Sequence, residues 1–358
     1  MLCSEILRSV SGKLQDEDEG ARRWPWESAS GAYSLMDSLN AAVREIVMQR
    51  PDATARTEPM RLEPGMMQRI PRADIHMTSR NAVSLINVIQ NLAPDGNTPG
   101  RPVFRVELDA LRAAMTPETI LVSVMFVNNE IGSVQPIEEI SKIVKMVNPQ
   151  ALLHVDAVQA WMRVPIKLDN IDTLSVSGHK IHAPKGIGAL YLSDRLVQAF
   201  RPPYLGGEQE RGLRPGTENL PYAMGLAAAA TRLAKTMKSR DTAMKALNQR
   251  LREGLKAFPE VEINSPENAV PEVLNFSENC IKSETMLAWL AEAQIYVSSA
   301  SACGRGQPSH TLAAMGKDPL AIDTAIRVSF CGDNTPDDVD AFLDRFEDGM
   351  KHLQKIRK

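Results

Sequence analysis

Several short stretches of the chain carry side chains whose types and spacing could do chemistry. Asn128-Asn129-Glu130 sets two amides beside an acid, and Asp156 is followed three residues later by Gln159. Ser177-Gly178-His179-Lys180 places an amine next to an imidazole and a hydroxyl. A neutral lysine amine attacks carbonyls, and a partly buried cationic setting lowers its proton affinity toward that state. The run Ser298 to Gln307 surrounds Cys303 with small residues, glycines and Arg305. A cysteine in such an exposed loop beside a cation favours its thiolate and is a candidate nucleophile. The other reading is a buried, inert cysteine, the commoner fate of free thiols. Arg327 lies inside the apolar run Ile326–Ser329, where a guanidinium needs an anionic partner. That partner is either a substrate carboxylate or an internal Asp or Glu. Gly206 to Thr217 is glycine-rich, polar and basic, and either sets Thr217 and backbone N–H groups on a phosphate or is a surface loop.

Taken singly, each stretch has a bland explanation. Asn-Asn makes turns, an Asp after a strand caps a helix, and a Lys beside Gly is solvated. Their positions along the chain argue for more. Thr119–Val127 and Leu152–Val155 are near-continuous apolar runs, as strands buried on both faces require. Thr173–Ser177 and Gly188–Leu192 read as further strands, with Leu108–Ala114 and Pro136–Val147 as helices between and before them. Strands alternating with helices predict a mostly parallel sheet flanked by helices. Ligands of such sheets sit beyond the carboxyl ends of the strands. Three successive strands end in the polar groups named above. An Asp and a Lys at neighbouring strand ends suit pyridoxal phosphate, which needs a lysine amine for its Schiff base and a carboxylate beside its ring nitrogen. Ser177 and His179 flank the lysine and could donate to the phosphate.

Composition limits the remaining possibilities. The 358 residues are 43% hydrophobic and 24% charged, ordinary for a globular protein with a large and a smaller domain. Forty-one basic against 44 acidic residues give a net charge of −3, which suggests neither a nucleic-acid nor an anionic-membrane partner. No apolar run reaches the roughly 20 residues needed to span a bilayer. The start, Met1-Leu2-Cys3-Ser4-Glu5, lacks the pattern of a secretory signal, and Cys3, Cys280, Cys303 and Cys331 form no CxxC, so neither a metal site nor a disulfide scaffold is expected and a cytoplasmic location is. Residues 1–70 read poorly, apart from a helical face over Ser34–Gln49. Residues 71–258 are assigned to the large domain. Its last part, Tyr222–Phe258, reads as two long helices. Residues 259–358 form a small C-terminal α/β domain with strands near Val273–Phe276, Ile295–Ser298 and Ile326–Ser329 and a final helix from Pro336 to Leu353.

The strings FVNNEIGSVQPI, LLHVDAVQA, SVSGHKIHAPKGIGALYL, GGEQERGLRPGTEN, VLNFS, SSASACGRGQPSHTLAAMG and AIRVSF occur in the order and spacing of the NifS/IscS-type cysteine desulfurases, which this chain resembles from about Val103 to Leu353. The resemblance implies the aminotransferase class V architecture (fold type I of the pyridoxal-phosphate enzymes), a homodimer, and transfer of sulfur from L-cysteine to an enzyme persulfide with release of alanine. It implies a sulfur acceptor, either an iron–sulfur scaffold or a tRNA-thiolation protein. By the same resemblance Lys180 holds pyridoxal 5'-phosphate, Asp156 pairs with the ring nitrogen, and Gln159 bonds the phenolic oxygen. Ser177 and His179 bind the phosphate, and Thr217 reaches the phosphate of the other subunit. Asn129 and Arg327 hold the substrate carboxylate, and Cys303 carries the sulfur.

The N-terminal third departs from that pattern. The family's Asp-Asn-Ala-Thr-Thr opening is absent, and its Thr-Ser-Gly-x-Thr-Glu phosphate turn is represented by Thr78-Ser79-Arg80-Asn81-Ala82-Val83. No histidine stands between His76 and His154 to stack on the cofactor ring, and Phe104 lies past the stacking position. Beside the desulfurase reading stand two alternatives: a degenerate member that binds or scaffolds with weak or no catalysis, which these losses favour, and a selenocysteine lyase-like enzyme.

Overall fold

A computed structural model describes residues 105–117, 119–200, 206–299 and 308–356. The expected Ser34–Gln49 helix, the Thr78–Val83 turn, Phe104 and Cys303 lie outside them. The described chain divides into two compact units. One comprises Val106–Phe126 and Pro136–Lys235, the other Val127–Gln135 and Thr236–Lys358.

In the first unit α1 (Leu108–Ala114) leads to β1 (Leu121–Met125), then α2 (Ile137–Val147), β2 (Leu152–Asp156), β3 (Thr173–Ser177), β4 (Gly188–Leu192) and α3 (Asp194–Ala199). The strands form one sheet in the order β1-β2-β3-β4. The first three are parallel and β4 is antiparallel to β3. Helix α2 forms because Ile137, Ile140, Ile143 and Val144 recur at helical spacing. All four are buried, worth about 1.5–3 kcal/mol each. Its first turn carries Glu138 and Glu139, where the helix dipole favours anions.

The two faces of this sheet differ. Val122, Val124, Leu153, Val155, Leu174 and Val176 alternate onto one face and are fully buried. The other face carries Ser123, His154, Asp156, Thr173 and Ser175, paired across the strands in register. Polar residues buried on a strand face require partners. His154 has them: Ser123 Oγ lies 2.6 Å from Nδ1, and Ser175 Oγ lies 3.3 Å from Nε2.

The chain passes into the second unit within α4 (Leu220–Leu255), one continuous 36-residue helix. The sequence predicts two helices here. The stretch contains no proline beyond Pro221 in its first turn, so nothing breaks the hydrogen-bond ladder, and Gly225 is tolerated inside it. The second unit then holds β5 (Glu262–Ile263), β6 (Val273–Ser277), α5 (Ser283–Glu292), α6 (His310–Ala314), α7 (Pro319–Asp323), β7 (Ala325–Ser329) and α8 (Pro336–His352). Strands β5-β6-β7 form an antiparallel sheet. Its core joins Leu274, Phe276, Ile326 and Val328 to Phe342 and Phe346 of α8. Phe276 and Phe346 meet edge to face at 5.6 Å. The strand expected over Ile295–Ser298 is not formed. Only Ser298 pairs, in a single bridge to Arg327, because the chain turns away after one residue of ladder.

Candidate active site

In the first unit the predicted residues gather at the carboxyl ends of adjacent strands. Asp156 is the last residue of β2, and β3 ends at Ser177, whose continuation Gly178–Ile181 is a tight 3₁₀ turn carrying His179 and Lys180. Gly178 makes that turn possible: a Cβ there would stand 2.9 Å from Ile187 Cγ2 and 3.0 Å from the Ile187 carbonyl oxygen. Ser177 Oγ lies 2.8 Å from His179 Nδ1, which pre-orients both groups. Burial, then the charges of Lys180 and Lys185, hold the His179 imidazole below its usual range, so it favours the neutral form. Lys180 is half-buried and His179 exposed.

Asp156 is half-buried. Val158 N donates to its Oδ1 at 2.9 Å, and among the described residues no cation lies within ion-pair distance of it. Burial pushes its carboxyl above the usual range, against the lowering effect of the Val158 bond. A half-buried carboxylate of this kind is completed by a cationic donor, and a protonated pyridine nitrogen is one. Gln159 has its carboxamide oxygen held by Arg163 Nη1 at 2.5 Å, so its amide nitrogen remains to donate. That is the polarity a phenolic oxygen needs. These residues therefore fit pyridoxal phosphate: a lysine, a carboxylate with no cation beside it among the described residues, an amide donor, and a hydroxyl–imidazole pair. Thr217 is exposed and follows Gly216, whose φ of +102° only glycine adopts without strain and whose N–H donates to Gln209 Oε1 at 3.1 Å.

In the second unit Asn129 and Arg327 come together across 198 positions of sequence. Arg327 Nη1 donates to the Asn129 carbonyl oxygen at 2.9 Å. The Arg327 Nε is buried with no hydrogen-bond partner among the described residues. Burial lowers the proton affinity of the guanidinium, and the nearby charge of Glu130 partly offsets this. Glu130 is the internal acid that could have claimed Arg327, yet its two oxygens are taken by Ser309 and Thr311. An arginine with a free, desolvated donor is suited to an external carboxylate.

Arg163 and His154 escape the sequence reading, and Glu130 is singled out there without its partners. Arg163 has a local signal, being four residues from Gln159 within an ordered turn. His154 and Glu130 find their partners only through tertiary contact. Cys280 and Cys331 are half-buried.

The aminotransferase class-V family model matches residues 98–342. A cysteine desulfurase of Gluconacetobacter diazotrophicus is 42% identical over 246 residues, covering 67% of this chain and 60% of the relative. The cysteine desulfurase NifS of Azotobacter vinelandii is 37% identical over 270 residues, 73% of this chain and 66% of its own. The chain thus spans between 60% and 66% of the length of these two relatives. Among solved structures, a NifS-like protein superposes with a TM-score of 0.65 at 37% identity, over 70% of this chain and 66% of that one. The fold is accordingly the α/β architecture of fold type I, as the sequence predicts.

Proposed function

This chain belongs to the aminotransferase class-V family, and we propose that it is a cysteine desulfurase that takes sulfur from L-cysteine and leaves alanine. The observation that carries the proposal is Asp156, a half-buried carboxylate with no cation at ion-pair distance among the described residues, on the strand next to β3, whose end at Ser177 runs into the turn that carries Lys180. Pyridoxal phosphate, the cofactor of this family, supplies an electron-withdrawing ring that labilises the bonds around the substrate Cα.

The chain's own groups do the rest. Lys180 provides the amine that holds the cofactor. Asp156 keeps the proton on the ring nitrogen, since separating that charge pair in a half-buried site is costly. The Gln159 amide donates to the phenolic oxygen, and Ser177 and His179 bind the phosphate. Arg327, with Asn129, binds the substrate carboxylate. The Cys303 thiolate attacks the sulfur of L-cysteine: an S–S bond forms to Cys303 as the substrate Cβ–S bond breaks. The electron pair of the broken bond stays on carbon, which takes up a proton to become the methyl group of alanine. The proton released when Cys303 ionises balances the one gained, so the products are alanine and a Cys303 persulfide.

We further propose a cytoplasmic homodimer in which Thr217 contacts the partner subunit's cofactor phosphate. The persulfide sulfur would pass to an acceptor protein, either an iron–sulfur scaffold or a tRNA-thiolation protein. The test is incubation of the protein with pyridoxal phosphate and L-cysteine. Alanine should form, and intact-protein and peptide masses should show one added sulfur on Cys303. Cys303→Ala should keep the visible band of the cofactor and lose both products. Alanine formation that survives in Cys303→Ala would overturn the assignment.

A further inference from the structure

Ser298 before Cys303, and Ser309 and Thr311 after it, are tied to one frame in the second unit. Before it, Ser298 and Arg327 exchange backbone hydrogen bonds, Arg327 N to Ser298 O at 2.6 Å and Ser298 N to Arg327 O at 3.2 Å. The Arg327 side chain then reaches the Asn129 carbonyl oxygen at 2.9 Å. After it, Ser309 Oγ donates to Glu130 Oε2 at 2.5 Å and Thr311 Oγ1 to Glu130 Oε1 at 3.2 Å. Asn129 and Glu130 are neighbours in sequence, so these bonds form one connected path from Ser298 to Ser309.

Glu130 is the least replaceable link. It is 1% exposed, so each carboxylate oxygen has to be paired within the protein. Each oxygen accepts from one hydroxyl, Oε2 from Ser309 and Oε1 from Thr311. The loop that carries it is itself fixed. The Asn128 Oδ1 accepts from Glu130 N at 2.8 Å and Ile131 N at 3.0 Å, and Asn128 N donates to Ser133 O at 2.9 Å. Ser309 meanwhile caps α6 by accepting from Leu312 N at 3.1 Å. One hydroxyl thus starts the helix and docks it to Glu130.

We infer that Glu130 is a positioning residue for Cys303: its buried carboxylate fixes Ser309, six residues after Cys303 in the chain, to the loop that also receives the Arg327 guanidinium. The catalytic part of this inference rests on the desulfurase proposal, and the anchoring part does not. Glu130→Gln keeps the shape but turns one acceptor into a donor and removes a charge facing Arg327. Thr311→Val removes only one donor and keeps the shape.

The experiment uses full-length protein supplied with pyridoxal phosphate. In Glu130→Gln the kcat for alanine formation should fall about tenfold while KM for L-cysteine moves less than about threefold, as expected for loss of a charged hydrogen bond that acts on the thiol. Alkylation of Cys303 by iodoacetamide should rise about threefold or more once Ser309 and Thr311 lose their anchor, with Cys280 and Cys331 unchanged. Thr311→Val should shift both readouts the same way by less, and the double variant should not add. Unchanged kcat and Cys303 alkylation, with only a lower melting temperature, would overturn the inference. If the unsubstituted protein forms no alanine, the desulfurase proposal fails, and the alkylation of Cys303 alone still decides the anchoring.

Discussion

The hydroxyl of Ser123 and Nδ1 of His154 stand 2.6 Å apart in the interior of the first unit, with Ser175 on the far side of the ring. One hydroxyl donates to the imidazole and the other accepts from it, so the neutral ring satisfies three strands at once. His154 shares its sheet face with Asp156, two residues further along β2.

Burial pushes His154 down to about 3. The unfolded chain binds the proton far more readily, so folding stability present above about pH 6.5 is lost as pH falls toward that folded value. The expected slope is about 1.4 kcal/mol per pH unit for this one group. His154→Gln retains a donor and an acceptor but does not titrate. Its melting temperature should decline less steeply than that of the parent between pH 6 and pH 4, both measured without cofactor. Parallel curves would show that His154 is not buried neutral.

The sign is opposite for Asp156. Its folded-state proton affinity is raised by burial, so its ionisation costs stability once the pH climbs through the folded value. Without cofactor, Asp156→Asn should melt higher than the parent at pH 8, by about 2 °C or more, and by less at pH 4. With pyridoxal phosphate added, the order should reverse, because only the carboxylate gains the ring-nitrogen partner. Equal stabilisation of both proteins by the cofactor would place the ring nitrogen elsewhere.

Arg327 offers a buried Nε without a partner among the described residues and an Nη1 already placed on Asn129. Arg327→Lys keeps the charge but loses the planar fork. KM for L-cysteine should rise about tenfold or more, the size of a lost charge-assisted hydrogen bond, with cofactor binding unchanged. An unaltered KM would return Arg327 to a purely internal role.

How much of this was legible depended on the distance over which each feature is decided. The strands Thr173–Ser177 and Gly188–Leu192 and the helix Leu108–Ala114 fall where their apolar patterns place them, because burial periodicity is local. The juxtaposition of Asp156 with the Lys180 turn followed from strand order, which parallel α/β topology restricts to few choices. The anchoring of Ser309 on Glu130 spans 179 positions and left no mark in either stretch, since a buried Glu reads as an ordinary turn residue until its partner is known. The absent strand at Ile295–Ser298 shows the converse: β-branched residues alone do not make a ladder where only Ser298 meets a neighbour.

The central claim, that Asp156 and Lys180 form the cradle of a pyridoxal-phosphate enzyme, is tested most directly by chemical trapping. The protein is incubated with pyridoxal phosphate, reduced with borohydride, digested and mapped by mass. The pyridoxyl group should be found on Lys180, and Asp156→Asn should lower its yield. Its recovery on Lys185 or Lys167, or labelling of Lys180 no greater than that of other exposed lysines, would contradict the claim.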